Sequence, residues 1–516
     1  MSSIEHEDNK PLLYDFFKPY SKFEAACSTK SCNTGFKVSR NQTPKTLVWD
    51  ITFRCNLKCI HCYNADKYGY SSNNYGNNFS DLTSEQCKQA LDRAQKSGII
   101  HLHLLGGEPL CRRDLPELIH YAVEKGLCVT ITSNGTLLTE TLAKDIIKAG
   151  AEQVSISIDG ATPSKNDIIR GDGSFNRAIK GLKQLSDARK ILNSSFEIGI
   201  SFTMTQNTLF DLPEVIEIGR ENEVDVIVIE DLFDLGISER HPELLYTNSQ
   251  QISALENLCS YLLEHPSINS KPTLQLDVSY PLFRYLERKY PTIRLVTPER
   301  TSVCPAVTSI IYMDSSGNIY PCGVSANLKH SRPELNDDII SPEGANNLAN
   351  IESFQDVKFD NFLKTRKNAK FDKAPCDMCD YKNDCLPCPL VVHNNKNNKA
   401  FGMCLEILKR ENKFEKSILK SVIKLKNTDL LASNDIRKLA VIGRGQNQNV
   451  QISETGQTIL GIISESKAGV RVSELIDKIN EIYNVPNIRT VTRDVVDFVW
   501  YLYQCGVVEK VNYTKN

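Results

Sequence analysis

This 516-residue chain lacks any apolar run approaching the ~20 residues that a membrane-spanning helix needs. It also lacks a dominant charge sign. Charged residues make up 24% of it and sum to −2, so no global field recruits nucleic acid or a membrane surface. The opening stretch, MSSIEHEDNKPLLYDFF, lacks the apolar core of a signal peptide. These absences point to a cytoplasmic protein with no nucleic-acid or membrane partner. Its length suggests roughly two to four domains.

Cysteine is what the chain does have. Seventeen of them in a reducing compartment argue for metal or cluster ligation over disulfides. Cys87, Cys128, Cys259 and Cys505 stand alone in helix- or strand-like patterns and read as core residues, and Cys27 and Cys32 fall in an N-terminal extension, 1–44. The tightest group is RCNLKCIHCYN (54–64), with Cys55, Cys59 and Cys62. A fourth ligand is missing there. A structural zinc or a plain iron–sulfur site normally takes four, so the trio leaves a coordination position open.

From 45 to 235, strand-like runs alternate with amphipathic helical stretches: KTLVWDIT, IIHLHLLG, LCVTITSNG, QVSISIDG, FEIGISFTMT and VDVIVIEDLF. Six such β/α units with continuous apolar strands predict a parallel sheet covered by helices, closed fully or partly into a barrel. Chemistry in such folds gathers at the C-terminal strand ends. The cysteine trio, GGEP (106–109), TSNG (132–135) and SIDG (157–160) all fall there. Residues 236–300 read as a mixed helical and irregular connecting region.

CxxxCxxC after the first strand, followed by GGEP after the second, resembles the radical S-adenosylmethionine (SAM) superfamily. The resemblance implies a [4Fe–4S] cluster on Cys55, Cys59 and Cys62 whose open iron binds the amino and carboxylate groups of SAM. The cluster then passes an electron to the sulfonium, a C–S bond breaks, and a 5′-deoxyadenosyl radical abstracts hydrogen from substrate. It also implies a SAM-binding set. Gly106, Gly107 and Glu108 lie at the methionine end, with Glu108 receiving the ammonium. Ser157 and Arg170 contact the ribose and carboxylate, His61 offers backbone to the adenine, and Leu232 packs near it. Asn134 and Asp159 complete the set. A structural alternative for Arg170 is a simple pair with an acid.

A second array follows in 301–408. Cys304 and Cys322 frame a segment containing Gly317; Cys376, Cys379, Cys385 and Cys388 come next, then Cys404. Two CxxC pairs alone could bind a structural zinc. The whole order resembles the SPASM extension of peptide-modifying radical SAM enzymes, which carries two auxiliary [4Fe–4S] clusters. Carried over, Cys376, Cys379, Cys385 and Cys404 hold the outer cluster, and Cys304, Cys322 and Cys388 hold an inner one with no fourth cysteine in sight. The last spacing is x2 where x3 is commoner. Gly323 stands where anaerobic sulfatase maturases place a catalytic aspartate, which argues against that subfamily.

A basic amphipathic stretch (405–426) enters a helical linker, 409–435, before the last unit, 436–516. There a hairpin (438–453), three amphipathic helices and a closing strand make a winged-helix-like pattern. Glu474, Asp477 and Glu481 on its second helix, and Asp494 and Asp497 on its third, suit DNA phosphates poorly. The pattern instead resembles the PqqD-like peptide-recognition element, in which a leader peptide adds as a strand.

The expected fold is thus α/β: a partial (β/α)6 TIM-like barrel, a cysteine-rich SPASM/twitch domain and a small winged-helix-like α+β domain. The resemblances imply a maturase that cross-links a ribosomally made precursor peptide, through thioether, C–C or C–O bonds, using a flavodoxin- or ferredoxin-type electron donor. Two alternatives stand beside it: radical chemistry on a small molecule such as a tetrapyrrole side chain, and a non-catalytic iron–sulfur winged-helix sensor.

Overall fold

The computed structural model describes residues 44–69, 80–233, 240–266, 271–297, 306–331, 346–360, 362–364, 402–426, 439–443, 446–450, 454–466, 468–484, 488–504 and 507–511. All six expected strands form: β1 (Thr46–Thr52), β2 (His101–Gly106), β3 (Cys128–Ser133), β4 (Gln153–Ser157), β5 (Glu197–Thr203) and β6 (Val226–Glu230). They pair in chain order, all parallel. The crossovers carry α1 (Ala65–Tyr68), α2 (Ser84–Lys96), α3 (Leu115–Glu124), α4 (Glu140–Lys148), α5 (Pro163–Arg170), α6 (Ser174–Leu192) and α7 (Leu212–Glu221). Parallel neighbours require such crossovers.

The strands are less uniform than their apolar look suggests. Leu102, Leu104, Val129, Ile131, Val154, Ile156, Ile198 and Ile200 are buried in the main apolar core. The alternate positions, which face the barrel interior, carry Asp50, His101, His103, Thr130, Thr132, Ser155, Ser157, Ser201 and Glu230. Period-two alternation therefore gives a polar lumen. Within it Thr130 Oγ1 lies 2.9 Å from His101 Nε2 and 2.8 Å from His103 Nδ1. Burial lowers the His101 ring to about 3 and the His103 ring to about 4. Cys128 belongs to this half-buried inner face, not to the core, whereas Cys87 and Cys259 are core residues.

The sheet also runs on past six strands. Residues read as a connecting region form α8 (Asn248–Glu264), β7 (Thr273–Asp277), α9 (Tyr280–Lys289) and β8 (Leu295–Val296), and β7 and β8 extend the sheet in parallel beyond β6. On the other edge, β9 (Ile310–Met313) pairs parallel with β1, and β10 (Ile319–Tyr320) turns back antiparallel. The result is ten strands in the order β10-β9-β1-β2-β3-β4-β5-β6-β7-β8.

Beyond lie α10 (Gly323–Ser331), α11 (Gly402–Leu419), β11 (Val422–Leu425), the hairpin β12 (Leu439–Gly443) and β13 (Gln446–Val450), α12 (Glu454–Glu465), β14 (Val470–Arg471), α13 (Val472–Tyr483), α14 (Ile488–Gln504) and β15 (Val508–Lys510). The expected hairpin, three helices and closing strand are all present. One correction concerns the linker. Instead of staying helical it supplies β11, the central strand of a sheet ordered β14-β11-β15, and its Ile418 and Ile423 enter the unit's apolar core with Ile459, Leu475, Val495 and Phe498. Among the described residues no helix is long and apolar enough to cross a membrane.

This unit rests on the barrel's flank. Arg288 of α9 donates to Asp497 at 2.6 Å, to Glu415 at 2.8 Å and to Glu411 at 3.3 Å, and Trp500 Nε1 donates to the Lys289 carbonyl at 2.5 Å. Asp497, one of the acids that argues against DNA, therefore faces the barrel.

Candidate active site at the barrel mouth

The cysteine loop begins where β1 ends. Asp81 holds its root, accepting from Thr52 Oγ1 at 2.7 Å and from the Phe53 amide at 2.9 Å. Midway, the Ile60 amide donates to the Ile169 carbonyl at 2.9 Å, stitching the loop to the end of α5. Cys55, Cys59 and Cys62 are partly buried, and burial raises all three thiols, Cys62 to about 12. Arg170 opposes this at Cys59 and Cys62, as does Lys67 at Cys62. Forming thiolates here calls for a metal centre as the compensating charge. A single zinc needs its sulfurs drawn together around one ion. Among the described residues no three His, Cys, Asp or Glu side chains converge in that way. Three thiolates suit a four-iron cluster with one iron left open, whereas a structural zinc site takes four ligands, so the trio fits a cluster better than zinc.

Glu108 flanks the loop on one side, fully buried. Its carboxylate accepts from Ser133 Oγ at 2.7 Å, the Asn134 amide at 2.7 Å and the Leu110 amide at 3.0 Å. GGEP is thereby locked to TSNG. Burial raises the Glu108 carboxyl, and these donors partly offset it. Asn134 continues the chain: its Nδ2 donates to Asn56 Oδ1 at 2.9 Å, inside the cysteine loop. Gly106 has a geometric reason to be glycine. Its φ is +141°, and a Cβ there would meet the Thr52 carbonyl at 2.4 Å. Gly107 donates its amide to the same carbonyl at 2.8 Å.

On the other side Asp159, fully buried, accepts from Arg170 Nε and the Thr203 amide (2.8 Å), and lies 2.9 Å from His61 Nε2. Burial alone would raise its carboxyl, but Arg170 and His61 win and hold it well below the usual range. Arg170 thus does pair with an acid. Its Nη groups, however, make no hydrogen bond to the described residues, and its charge is felt at Cys59 and Cys62. His61 Nδ1 is buried without a hydrogen-bond partner among the described residues. Leu232 packs with Ile60, Ile169 and Leu244 beside it, and Ser157 sits in register with Ser201 at the β4 end. The mouth therefore brings together every expected residue of the first motif: the trio in the middle, Gly106–Glu108 and Asn134 on one side, and His61, Ser157, Asp159, Arg170 and Leu232 on the other.

A third group carries no sequence signal. Asp50, on the inner face of β1, accepts from Lys67 at 2.6 Å, from Tyr68 at 2.5 Å and from Tyr312. Lys67 is fully buried and lies 4.4 Å and 4.9 Å from the ring centroids of Tyr68 and Tyr312. This network ties the helix after Cys62 to β9.

Of the second array, Cys322 and Cys404 are described. Cys322 precedes α10, where it accepts from the Ser325 amide at 3.5 Å, and α10 packs on α1. Cys404 lies in the first turn of α11. Cys304, Cys376, Cys379, Cys385 and Cys388 fall outside the described residues, as do Cys27, Cys32 and Cys505.

Residues 49–211, which hold the trio, GGEP and the Asp159 group, match the Radical SAM superfamily. The chain carries a radical SAM domain. That family implies a [4Fe–4S] cluster and SAM. The chain is 26% identical over 359 residues to an AdoMet-dependent heme synthase of Methanosarcina barkeri, covering 68% of this chain and 93% of that protein. It is 34% identical over 145 residues to the mycofactocin maturase MftC of Mycolicibacterium smegmatis, covering 28% of this chain and 35% of that one. In fold the radical SAM domain and its surroundings are similar to Streptococcus suis SuiB, solved with the precursor peptide SuiA, at a TM-score of 0.51 and 17% identity over 68% of this chain and 74% of that one.

Proposed function

We propose that this enzyme modifies a ribosomally made precursor peptide, forming thioether, C–C or C–O cross-links by radical chemistry started at the barrel mouth. Cys55, Cys59 and Cys62 would hold the radical SAM cluster. Arg170, with its free Nη groups, would take the SAM carboxylate. Gly106 and Gly107 would line the methionine end and Glu108 would reach the ammonium with whatever capacity its three donors leave. His61, Leu232 and Ser157 would border the nucleoside, while Asn134 and Asp159 act by positioning their neighbours. Cys304, Cys322, Cys376, Cys379, Cys385, Cys388 and Cys404 would hold two auxiliary clusters. The leader would bind within 436–516, and a flavodoxin- or ferredoxin-type donor would supply the electron in the cytoplasm, where thiols stay reduced.

The observation that carries this reading is the C-terminal unit: a small α+β body with its own core, fixed to the barrel flank by the Arg288 ion cluster. A small-molecule enzyme has no need of such a docking body, and the acids on its helices deny it to nucleic acid. MftC, a maturase by name, and SuiB, solved with a precursor peptide, are in keeping with the same choice. The broad alignment with a heme synthase favours the tetrapyrrole alternative as second reading.

Anaerobically reconstituted enzyme, SAM and a strong reductant should change the mass of a candidate precursor peptide, sought among short reading frames beside the gene. An unmodified peptide alongside turnover of an iron porphyrin would reverse the two readings. The Cys55→Ala, Cys59→Ala, Cys62→Ala triple variant should form no 5′-deoxyadenosine by chromatography; continued formation would remove the trio from the site.

A further inference from the structure

The helix α11 carries a row of cations that neither the radical chemistry nor the fold uses. Lys409, Lys413 and Lys416, with Lys420 just past its end, recur at helical spacing and are all exposed. Two of them border a groove of about 600 Å³ between α8, α9 and α11, lined by Glu256, Tyr285, Lys289, Lys409, Arg410 and Lys413, among others. Its charges are unequally engaged. Lys289 donates to Glu256 at 2.6 Å, and Arg410 donates to Glu256 at 2.9 Å and to Glu406 at 3.3 Å. Lys409 and Lys413 form no ion pair among the described residues. The groove thus has two cations to spare.

It also leads somewhere. Phe414, on its wall, meets Trp500 edge-on at 5.3 Å, and Trp500 stacks on Tyr503 at 5.4 Å. Lys510 lies 5.6 Å and 5.3 Å from those two ring centroids, and burial against its surroundings lowers its ammonium. Lys510 belongs to β15, an edge strand of the three-stranded sheet. A basic groove therefore continues through an aromatic track onto a strand edge. That chain of contacts suits an extended peptide better than a compact protein, because one segment can offer main-chain groups to the edge and carboxylates to the groove.

We infer that this groove binds an acidic segment of the precursor peptide, held by Lys409 and Lys413, between the leader's docking strand and the residues that are modified. The inference rests on the peptide-maturase reading for the identity of the occupant, but its charge preference can be tested without any radical chemistry.

The test measures fluorescence anisotropy of full-length protein with labelled deca-glutamate, deca-lysine and a neutral Ser/Asn decamer. Deca-glutamate should bind alone of the three, and its affinity should fall as salt rises from about 0.05 to 0.5 M, since exposed charges are screened. K409E/K413E should weaken it about tenfold, two surface charge reversals at the usual size of such contacts. K409R/K413R should keep it, and equal melting temperatures should show that both variants fold. Equal binding of deca-glutamate to wild type and K409E/K413E, or no binding at all, would overturn the inference. So would a charge reversal that spares deca-glutamate yet slows reduction by an acidic flavodoxin, which would make α11 a redox docking face. If deca-glutamate binding follows the lysines while no peptide is ever modified, the groove stands and the maturase reading falls.

Discussion

Two buried aspartates bracket the cysteine loop, and they differ in what they leave over. Asp50 and Asp159 are both fully buried at the ends of barrel strands, and each holds a cation. The Asp50 partner is used up: Lys67 bonds Asp50 and Tyr312 and lies against two tyrosine rings, with no exposed side-chain surface. The Asp159 partner is not. Arg170 spends Nε on the aspartate, its Nη groups bond none of the described residues, and its charge is felt at Cys59 and Cys62. A consumed ion pair fixes architecture, whereas a half-used guanidinium beside a thiol cluster is poised for a carboxylate. The sequence alone cannot separate the two, because both are simply an Asp near a basic residue.

Variants that unbalance the pairs sharpen this contrast. Lys67→Met strands the Asp50 charge in the interior and should cost about 3–5 kcal/mol of stability by urea unfolding, with Asp50→Asn/Lys67→Met recovering much of it. A loss under about 1 kcal/mol would mean that the tyrosines alone suffice for Asp50. Arg170→Lys keeps a charge for Asp159 but loses the planar fork. It should unfold within about 1 kcal/mol of wild type yet bind SAM about tenfold more weakly by calorimetry. Equal SAM affinity would make Arg170 as structural as Lys67.

The smallest effect concerns the polar lumen, towards the other end of the strands from the two aspartates. His101 and His103 are held neutral, with folded values near 3 and 4, below the ordinary value of about 6.5. As pH falls from about 6.5 towards 4 the unfolded chain takes up protons that the folded rings refuse, so stability declines over that window. His103→Gln should flatten part of the decline in urea unfolding measured at several pH values. An unchanged profile would show that other groups carry it.

How much of this was legible depends on how local the signal is. The first six strands announced themselves as apolar runs between helices. So did the trio and GGEP, whose residues are close in sequence. β7 escaped because TLQLD alternates, with Gln275 and Asp277 on its other face, and β8 has only two residues. β11 escaped because SVIKLK prolongs the basic pattern of α11 and looks like more helix. The Asp50 network was invisible for a different reason: Tyr312 lies 262 residues from Asp50, and no spacing rule spans such a gap.

The junction between α11 and β11 sets how far the C-terminal sheet stands from the start of α11. Just Lys420 and Ser421 separate the two elements, and Ser421 is bonded on both sides, to the Ile418 carbonyl and from the Val472 amide. There is no tether on which the C-terminal unit could swing. From Cys404 to Leu419 the helix rises about 22 Å. If the C-terminal sheet holds the leader, as proposed, a peptide running from it to the start of α11 would have to cross that span itself. At ~3.3 Å per extended residue that would take about seven residues. Under that proposal the helical strut would act as a ruler, setting the shortest peptide that can extend from its docking strand towards the Cys404 end.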